Sequence, residues 1–421
     1  MLSTGDETGL SRTTFDNGLT VVSEYMPHVR SVALGAWVRS ASVHEVREQM
    51  GVSHMLEHLV FKGSRRRTAR ELALTLEALG GSLDAYTSRE HTAFQARVLD
   101  EHLPQAADVM ADLIFSPLLR ESDLELERKV VLEEIAMVED APDDIVFELH
   151  NELLWGGHPL GYSILGTRAT VGAMQLDEVR ALHERAYRPE QIVVSAAGHV
   201  EHEALIDVLQ RAGWGDVRRG TAAAAAPRVL TPHIAERRHV EREAAQSHVV
   251  LGAPSFGYVD QRRYALTLLT SVLGGGMSSR LFQRVREERG LAYSIYAFHH
   301  HYSTTGMHGV YLATSPDQVS EALASVHAEL ADVVAHGLPD DELQMGRSQL
   351  KGQITLSLES PGARLYRAAA TELYGEPFRP LDEVLSLVDA ISDADVGGVA
   401  REYFAPESMT TLTLGPAEPG D

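Results

Sequence analysis

Within GVSHMLEHLVFKGS, residues 51–64, two histidines and a glutamate stand in the order His54, Glu57, His58. On a helix His54 and His58 are one turn apart and point the same way, so both imidazoles can reach one ion, with Glu57 beside them. The order H-x-x-E-H is the reverse of the H-E-x-x-H pattern of zinc-dependent hydrolysis. Two imidazoles suit a zinc ion, and a neighbouring carboxylate can accept a proton from water that the ion has acidified. Such a centre takes three protein ligands and keeps a position for water, so a carboxylate must arrive from another element. The run ELERKVVLEEIAMVED, residues 125–140, offers Glu125, Glu127, Glu133 and Glu134 amid Val130, Val131, Ile135 and Val138. Helical periodicity alone does not choose between Glu133 and Glu134.

Composition narrows the chemistry. The chain contains no cysteine, which excludes disulfides, thiolate ligands and a cysteine nucleophile, so any metal must be held by His and carboxylate. A formal charge of -23 counts against a nucleic-acid partner, because phosphate recognition needs a basic face. It would suit basic peptides, although solubility is the plainer reading. No apolar run approaches the roughly 18 residues of a membrane span, and MLSTGDETGLSRTTFDNG has neither a basic start nor an apolar stretch, so the expected location is the cytoplasm.

At 421 residues the chain exceeds one compact core, and two or more domains are expected. LTVVSEYM, SVALGAWV and HTAFQARVL read as strands, SHMLEHLVF as a buried helix and TARELALTLEALGG as an amphipathic helix ending at glycine. Long helices follow from Ser122, which has capping-box spacing to Glu125, and QIVVSAAG closes the pattern as a strand. The expected class is α+β: a mainly antiparallel sheet with helices packed on it, made twice.

The second making is visible as an internal repeat. Glu125 to Gly156 aligns without a gap on Gln344 to Gly375, bringing Arg128 opposite Arg347, Ile135 opposite Ile354, Pro142 opposite Pro361 and Gly156 opposite Gly375. ERAYRPEQIVVSAAG (184–198) is echoed by REYFAPESMTTLTLG (401–415). The expected division is a metal-binding domain at 1–219, a linker at 220–232 where GTAAAAAPRVLTP shows no clear element, and a homologous domain at 233–421. In the second copy Gln353 stands opposite Glu134 and Gly346 opposite Glu127, and YALTLLTSVLGGG, opposite the histidine pair, has no histidine. Only the first copy can carry the metal.

These residues resemble the M16 peptidase family, the group of pitrilysin, insulysin and the mitochondrial processing peptidase, over nearly the whole chain. The resemblance implies that the third ligand is Glu134 and that Glu127, two helical turns earlier, supports the site from behind. HPLGYSILGT (158–167) resembles the stretch that the family carries after its metal-site helices. SSRLFQRVREERGLAYSIYAF (278–298) resembles a region whose arginine and tyrosine contact the substrate carbonyl, falling here on Arg286 and Tyr293; a cation and a phenol are good donors to a developing oxyanion. It further implies one zinc ion per chain, Glu57 as general base, and a peptide added as a strand beside Asp84, Ala85, Tyr86 and Thr87 in an enclosed chamber. Related two-domain subunits pair, so a homodimer, or a heterodimer with a related chain, is expected. The rivals are a non-catalytic structural or binding subunit and, more weakly, a zinc hydrolase of small molecules. GGGMSSR (274–280) lacks the G-K-[ST] ending of a phosphate loop, and consecutive His299 to His301 would alternate across a strand; neither is placed in the site.

Overall fold

The computed structural model describes residues 2–5, 9–220 and 229–416. Of the expected linker, residues 221–228 lie outside the described residues. The chain forms two compact units: Met1–Ala136 with Tyr162–Arg228 and Leu356–Pro380, and Met137–Gly161 with Val229–Thr355 and Leu381–Asp421.

The first unit is built on strands β1 (Leu2–Gly5), β2 (Leu10–Thr14), β3 (Thr20–Tyr25), β4 (Ser31–Val38), β5 (Ser82–Thr87), β6 (Thr92–Leu99) and β7 (Ile192–Gly198). They lie in the order β1-β2-β3-β7-β4-β6-β5, with β3 and β7 parallel and the other pairs antiparallel. Strand β4 shows why this sheet is covered twice. Val32, Leu34, Ala36 and Val38 enter the main core, whereas Ala33 and Trp37 pack with Leu365 and Ala369 of the helix Pro361–Tyr374. Successive side chains of a strand point to opposite faces, so a strand apolar at nearly every position needs helices on both.

The main-core face carries α1 (Val52–Val60), α2 (Ala69–Glu77), α3 (Leu103–Phe115) and α4 (Glu121–Asp140). The Arg120 carbonyl accepts from the amides of Asp123 and Leu124, which places Ser122 inside the first turn of α4 and not at the cap expected from its spacing to Glu125. β5 has β6 on one side and forms the edge of the sheet.

In the second unit β8 (Arg237–Glu241), β9 (Ser247–Phe256), β10 (Ser294–His301), β11 (Thr305–Thr314) and β12 (Thr410–Gly415) run in the order β10-β11-β9-β12-β8, with β8 and β12 parallel. α5 (Pro142–Trp155) packs Val146 against Val250, Tyr311, Leu412 and Leu414, and the Phe147 and Tyr311 rings stack at 5.4 Å. The α+β class and duplicated sheet expected from the repeat are both observed. The units depart from contiguous stretches 1–219 and 233–421 at one pair of matched helices. α5 belongs to the unit of the second sheet and Pro361–Tyr374 to that of the first, each supplying the apolar cover that sheet requires. Among the described residues no helix is long and apolar enough to cross a membrane.

Two histidines are fully buried in the second unit, His150 and His308. Each has one ring nitrogen against a carbonyl, Nε2 of His150 3.2 Å from Thr410 O and Nε2 of His308 2.9 Å from Tyr403 O, while Nδ1 is buried without a partner. Burial pushes both rings down to about 4 from the ordinary 6.5. Between those values the unfolded chain binds protons that the folded chain does not, so their stabilising contribution is complete above about 6.5 and is lost as pH falls towards 4. Each ring is expected to cost about 2 kcal/mol by pH 5. Urea titrations at pH 7.5 and pH 5 should show that loss, and His308→Gln should flatten the dependence; an unchanged slope would contradict this account.

Candidate metal centre

α1 begins at Gly51, whose φ of +89° is left-handed. A Cβ there would lie 2.5 Å from the Leu165 carbonyl oxygen, and one on Gly166 would lie 2.5 Å from that of Met50. Two glycines thus let the HPLGYSILGT stretch dock backbone to backbone against the entry to α1. The helix buries Met55, Leu56, Leu59 and Val60 completely, each stabilising its placement by about 1.5–3 kcal/mol. His54, Glu57 and His58 are left together, half-buried, on the remaining face.

α4 meets them with a stripe of its own. Leu124, Glu127, Val131 and Ile135 are buried, a helical spacing that carries Glu134, two turns beyond Glu127, to the same side. Glu133 is exposed and Glu134 half-buried. A carboxylate oxygen of Glu134 lies 3.8 Å from His54 Nε2 and 3.7 Å from His58 Nε2, and the two imidazole centroids are 4.5 Å apart. The ligand atoms of His54, His58 and Glu134 all lie within 4.8 Å of one another.

The donor set fits zinc. Tetrahedral ligands at about 2.0–2.1 Å from an ion are themselves roughly 3.4 Å apart, close to the separations here. Glu134 Oε2 is buried without a hydrogen-bond partner, although an unpaired buried carboxylate oxygen is costly. His54 is pushed down to about 4, first by burial and then by neighbouring His58, so its imidazole is neutral at pH 7, the form that binds a metal.

The surroundings orient these groups. Nδ1 of His58 is 3.0 Å from Glu127 Oε2, an arrangement that leaves Nε2 for the ion. Glu127 is 5% exposed, and its other oxygen receives Lys62 Nζ at 2.7 Å. Thr87, the last residue of edge strand β5, donates its hydroxyl to Glu57 Oε2 at 2.5 Å. Burial raises the Glu57 carboxyl above its ordinary value, the Thr87 hydroxyl and His58 opposing that rise. Asp84, Ala85, Tyr86 and Thr87 pair with Gln95, Phe94, Ala93 and Thr92 of β6.

Arg286 and Tyr293 lie together in the second unit. Arg286 sits in a π-helical turn, Phe282–Glu287, its guanidinium 4.5 Å over the Phe282 ring and 5.7 Å from that of Tyr293. Tyr293 is 74% exposed. In GGGMSSR, Arg280 is buried and paired with Glu342 at 2.6 Å and Asp332 at 2.8 Å, a structural cluster. His299 is engaged at both nitrogens, with Thr270 at 2.8 Å and Thr267 at 3.2 Å.

Two residues of this neighbourhood escaped the reading of the sequence. Lys62 stands four residues after His58, a helical spacing that could have pointed to it. Glu45, 5% exposed, accepts from the amides of Gly51 at 2.9 Å and Ser53 at 2.8 Å; it lies between two short 3-10 turns, and no periodic signal joins it to α1.

Comparison with known proteins places this geometry. Residues 20–168 match the family model described as insulinase (peptidase family M16), and residues 173–350 the peptidase M16 inactive domain. An uncharacterized zinc protease of Streptomyces coelicolor is 40% identical, covering 96% of this chain and 89% of that protein. Another from Bacillus subtilis is 38% identical over 96% of this chain and 98% of its own length. The crystal structure of a protease from Helicobacter pylori superposes with a TM-score of 0.91 at 22% identity, covering 96% of this chain and 99% of that one, a likeness of fold. Identity at this level across nearly the whole of both proteins, with the H-x-x-E-H helix inside the matched segment, makes the chain a member of peptidase family M16.

Proposed function

We propose that the chain is a zinc metalloendopeptidase acting on peptides or small unfolded proteins bound as an extended strand, with one zinc ion per chain held by His54, His58 and Glu134. The observation that carries this reading is the convergence of two imidazole nitrogens on a buried carboxylate oxygen at 3.7 and 3.8 Å, with Glu57 on the same helix face. Bound there, zinc would acidify a water and polarise an amide carbonyl. Glu57 would take the water proton and deliver it to the leaving amine, and its half-buried carboxyl, raised above its ordinary value by burial, suits a group that must both accept and give. Glu127 holds His58 by Nδ1, and Lys62 holds the second Glu127 oxygen in an ion pair. The Thr87 hydroxyl ties Glu57 to the end of β5, so a peptide pairing with that edge at Asp84 to Thr87 would bring its backbone to the general base. Arg286 and Tyr293 offer a cation and a phenol to the developing oxyanion.

The family's two-domain subunits support the further proposal of a paired, enclosed chamber, the chain acting as a homodimer or with a related partner and the Arg286/Tyr293 pair serving the metal site of the opposite subunit.

Cleavage of a quenched fluorescent peptide should be abolished by a chelator and restored by zinc. Glu57→Gln should lower kcat at least about a hundredfold while retaining zinc; full activity in that variant, or no cleavage by the unaltered chain, would favour a binding subunit instead. Glu127→Gln should weaken zinc binding about 10- to 100-fold in a chelator competition, and unchanged affinity would remove it from the site. Mixing Glu57→Gln with Arg286→Ala chains should rescue activity if the pair works across subunits, and the absence of rescue counts against that arrangement.

A further inference from the structure

The two imidazoles of α1 are not held alike. His58 is fixed from behind by Glu127 at 3.0 Å, but Nδ1 of His54 is buried with no partner. Its position therefore depends on the backbone of the first turn of α1, and that turn lacks an ordinary cap. The N-cap position is Gly51, which brings no side chain to the free amides. Glu45, six residues upstream, supplies what is missing: Oε2 accepts from Gly51 N at 2.9 Å and Oε1 from Ser53 N at 2.8 Å. The Glu45 carboxylate thus spans the turn that ends at His54.

We infer that Glu45 is a positioning residue for the metal centre, holding the first turn of α1 so that the His54 imidazole meets His58 and Glu134 at ligand distance. This rests on the reading of those three residues as the zinc ligands. A carboxyl group suits this place because two amide donors need two acceptor oxygens; burial pushes Glu45 up to about 7, and the amide hydrogen bonds, like the helix N-terminus, favour its charged form against that rise. Glu45 is 5% exposed. Arg39, His44 and Arg185 line a cavity of about 230 Å³ beside it, yet none forms an ion pair with it among the described residues, so its partners are the helix amides.

Glu45→Gln keeps the shape but turns an amide group towards one of the two donors. The test measures zinc affinity by competition with a chelating dye and the visible spectrum of the cobalt-substituted protein, for the unaltered chain, Glu45→Gln and Thr68→Ala. Thr68 caps α2, accepting from Glu71 N at 3.3 Å, so its loss removes a helix cap of the same unit away from the ligands. Glu45→Gln is expected to raise the zinc dissociation constant about tenfold and to alter the cobalt spectrum. Thr68→Ala should lower the thermal midpoint and leave both unchanged. Wild-type affinity and spectrum in Glu45→Gln would overturn the inference, as would equal weakening in Thr68→Ala, which would mark a general stability effect. Should Glu45→Gln fail to fold, Glu45→Asp, with the charge on a shorter arm, is judged by the same two readouts. Tight zinc binding by the unaltered chain tests the metal reading itself, and its absence sinks both.

Discussion

Where α1 meets α4, two imidazoles converge on one carboxylate oxygen. A carboxylate oxygen of Glu134 stands 3.7 and 3.8 Å from two imidazole nitrogens with no proton donor reaching it, and burial deprives it of water as compensation. A buried, unpaired carboxylate oxygen is costly, and a cation held between it and the imidazoles would offset that cost. Everything nearby works to keep the arrangement: the apolar face of α1 fastens that helix to the sheet, the glycine contacts at 51 and 166 fix its entry, and Glu127 with Lys62 lets a buried carboxylate sit behind His58 without an unpaired charge.

The second copy shows what happens to the same frame without imidazoles. Opposite Glu127 stands Gly346, where a Cβ would lie 2.7 Å from Val272 and 3.3 Å from Leu268. The helix Arg263–Gly274 buries Leu266, Leu268, Leu269 and Leu273 and offers no ligand opposite His54 or His58. An acidic side chain at 346 would meet packed methyl groups, which is a desolvation cost with no cation to offset it. Opposite Glu134, Gln353 is exposed. Ligands and supporting acid are therefore absent together, as the electrostatics require.

How much of this could be read beforehand follows the range of each interaction. The histidine pair and Glu57 lie within one helical turn, so their convergence is a local property. Strands β3, β4, β6 and β7 of the first sheet were legible for the same reason, through alternation and apolar runs, whereas β1 and β2 were not read. Choosing between Glu133 and Glu134 needed to know which face of α4 turns inward, and the buried stripe through Glu127 decides it; family resemblance made that choice where periodicity was silent. The assignment of α5 to the second sheet was not legible, because an apolar helix face does not say which of two sheets it will cover. Nor was Glu45, whose partners are backbone amides that carry no residue signature. At Ser122 a local rule lost to the chain's own geometry, the helix having already begun one residue earlier.

The Arg286 and Tyr293 pair rests on different physics from the cluster of His54, His58 and Glu134. A π-helical turn is rare and recurs at functional positions. Here it sets the Arg286 guanidinium 4.5 Å over Phe282, a contact with the ring face that supports a cation without neutralising it. Glu287 stands at the edge of ion-pair range, its Oε1 3.7 Å from Arg286 Nε. Tyr293 is 74% exposed, so the second unit presents a phenol beside a cation, which is what the proposed role of oxyanion donors needs.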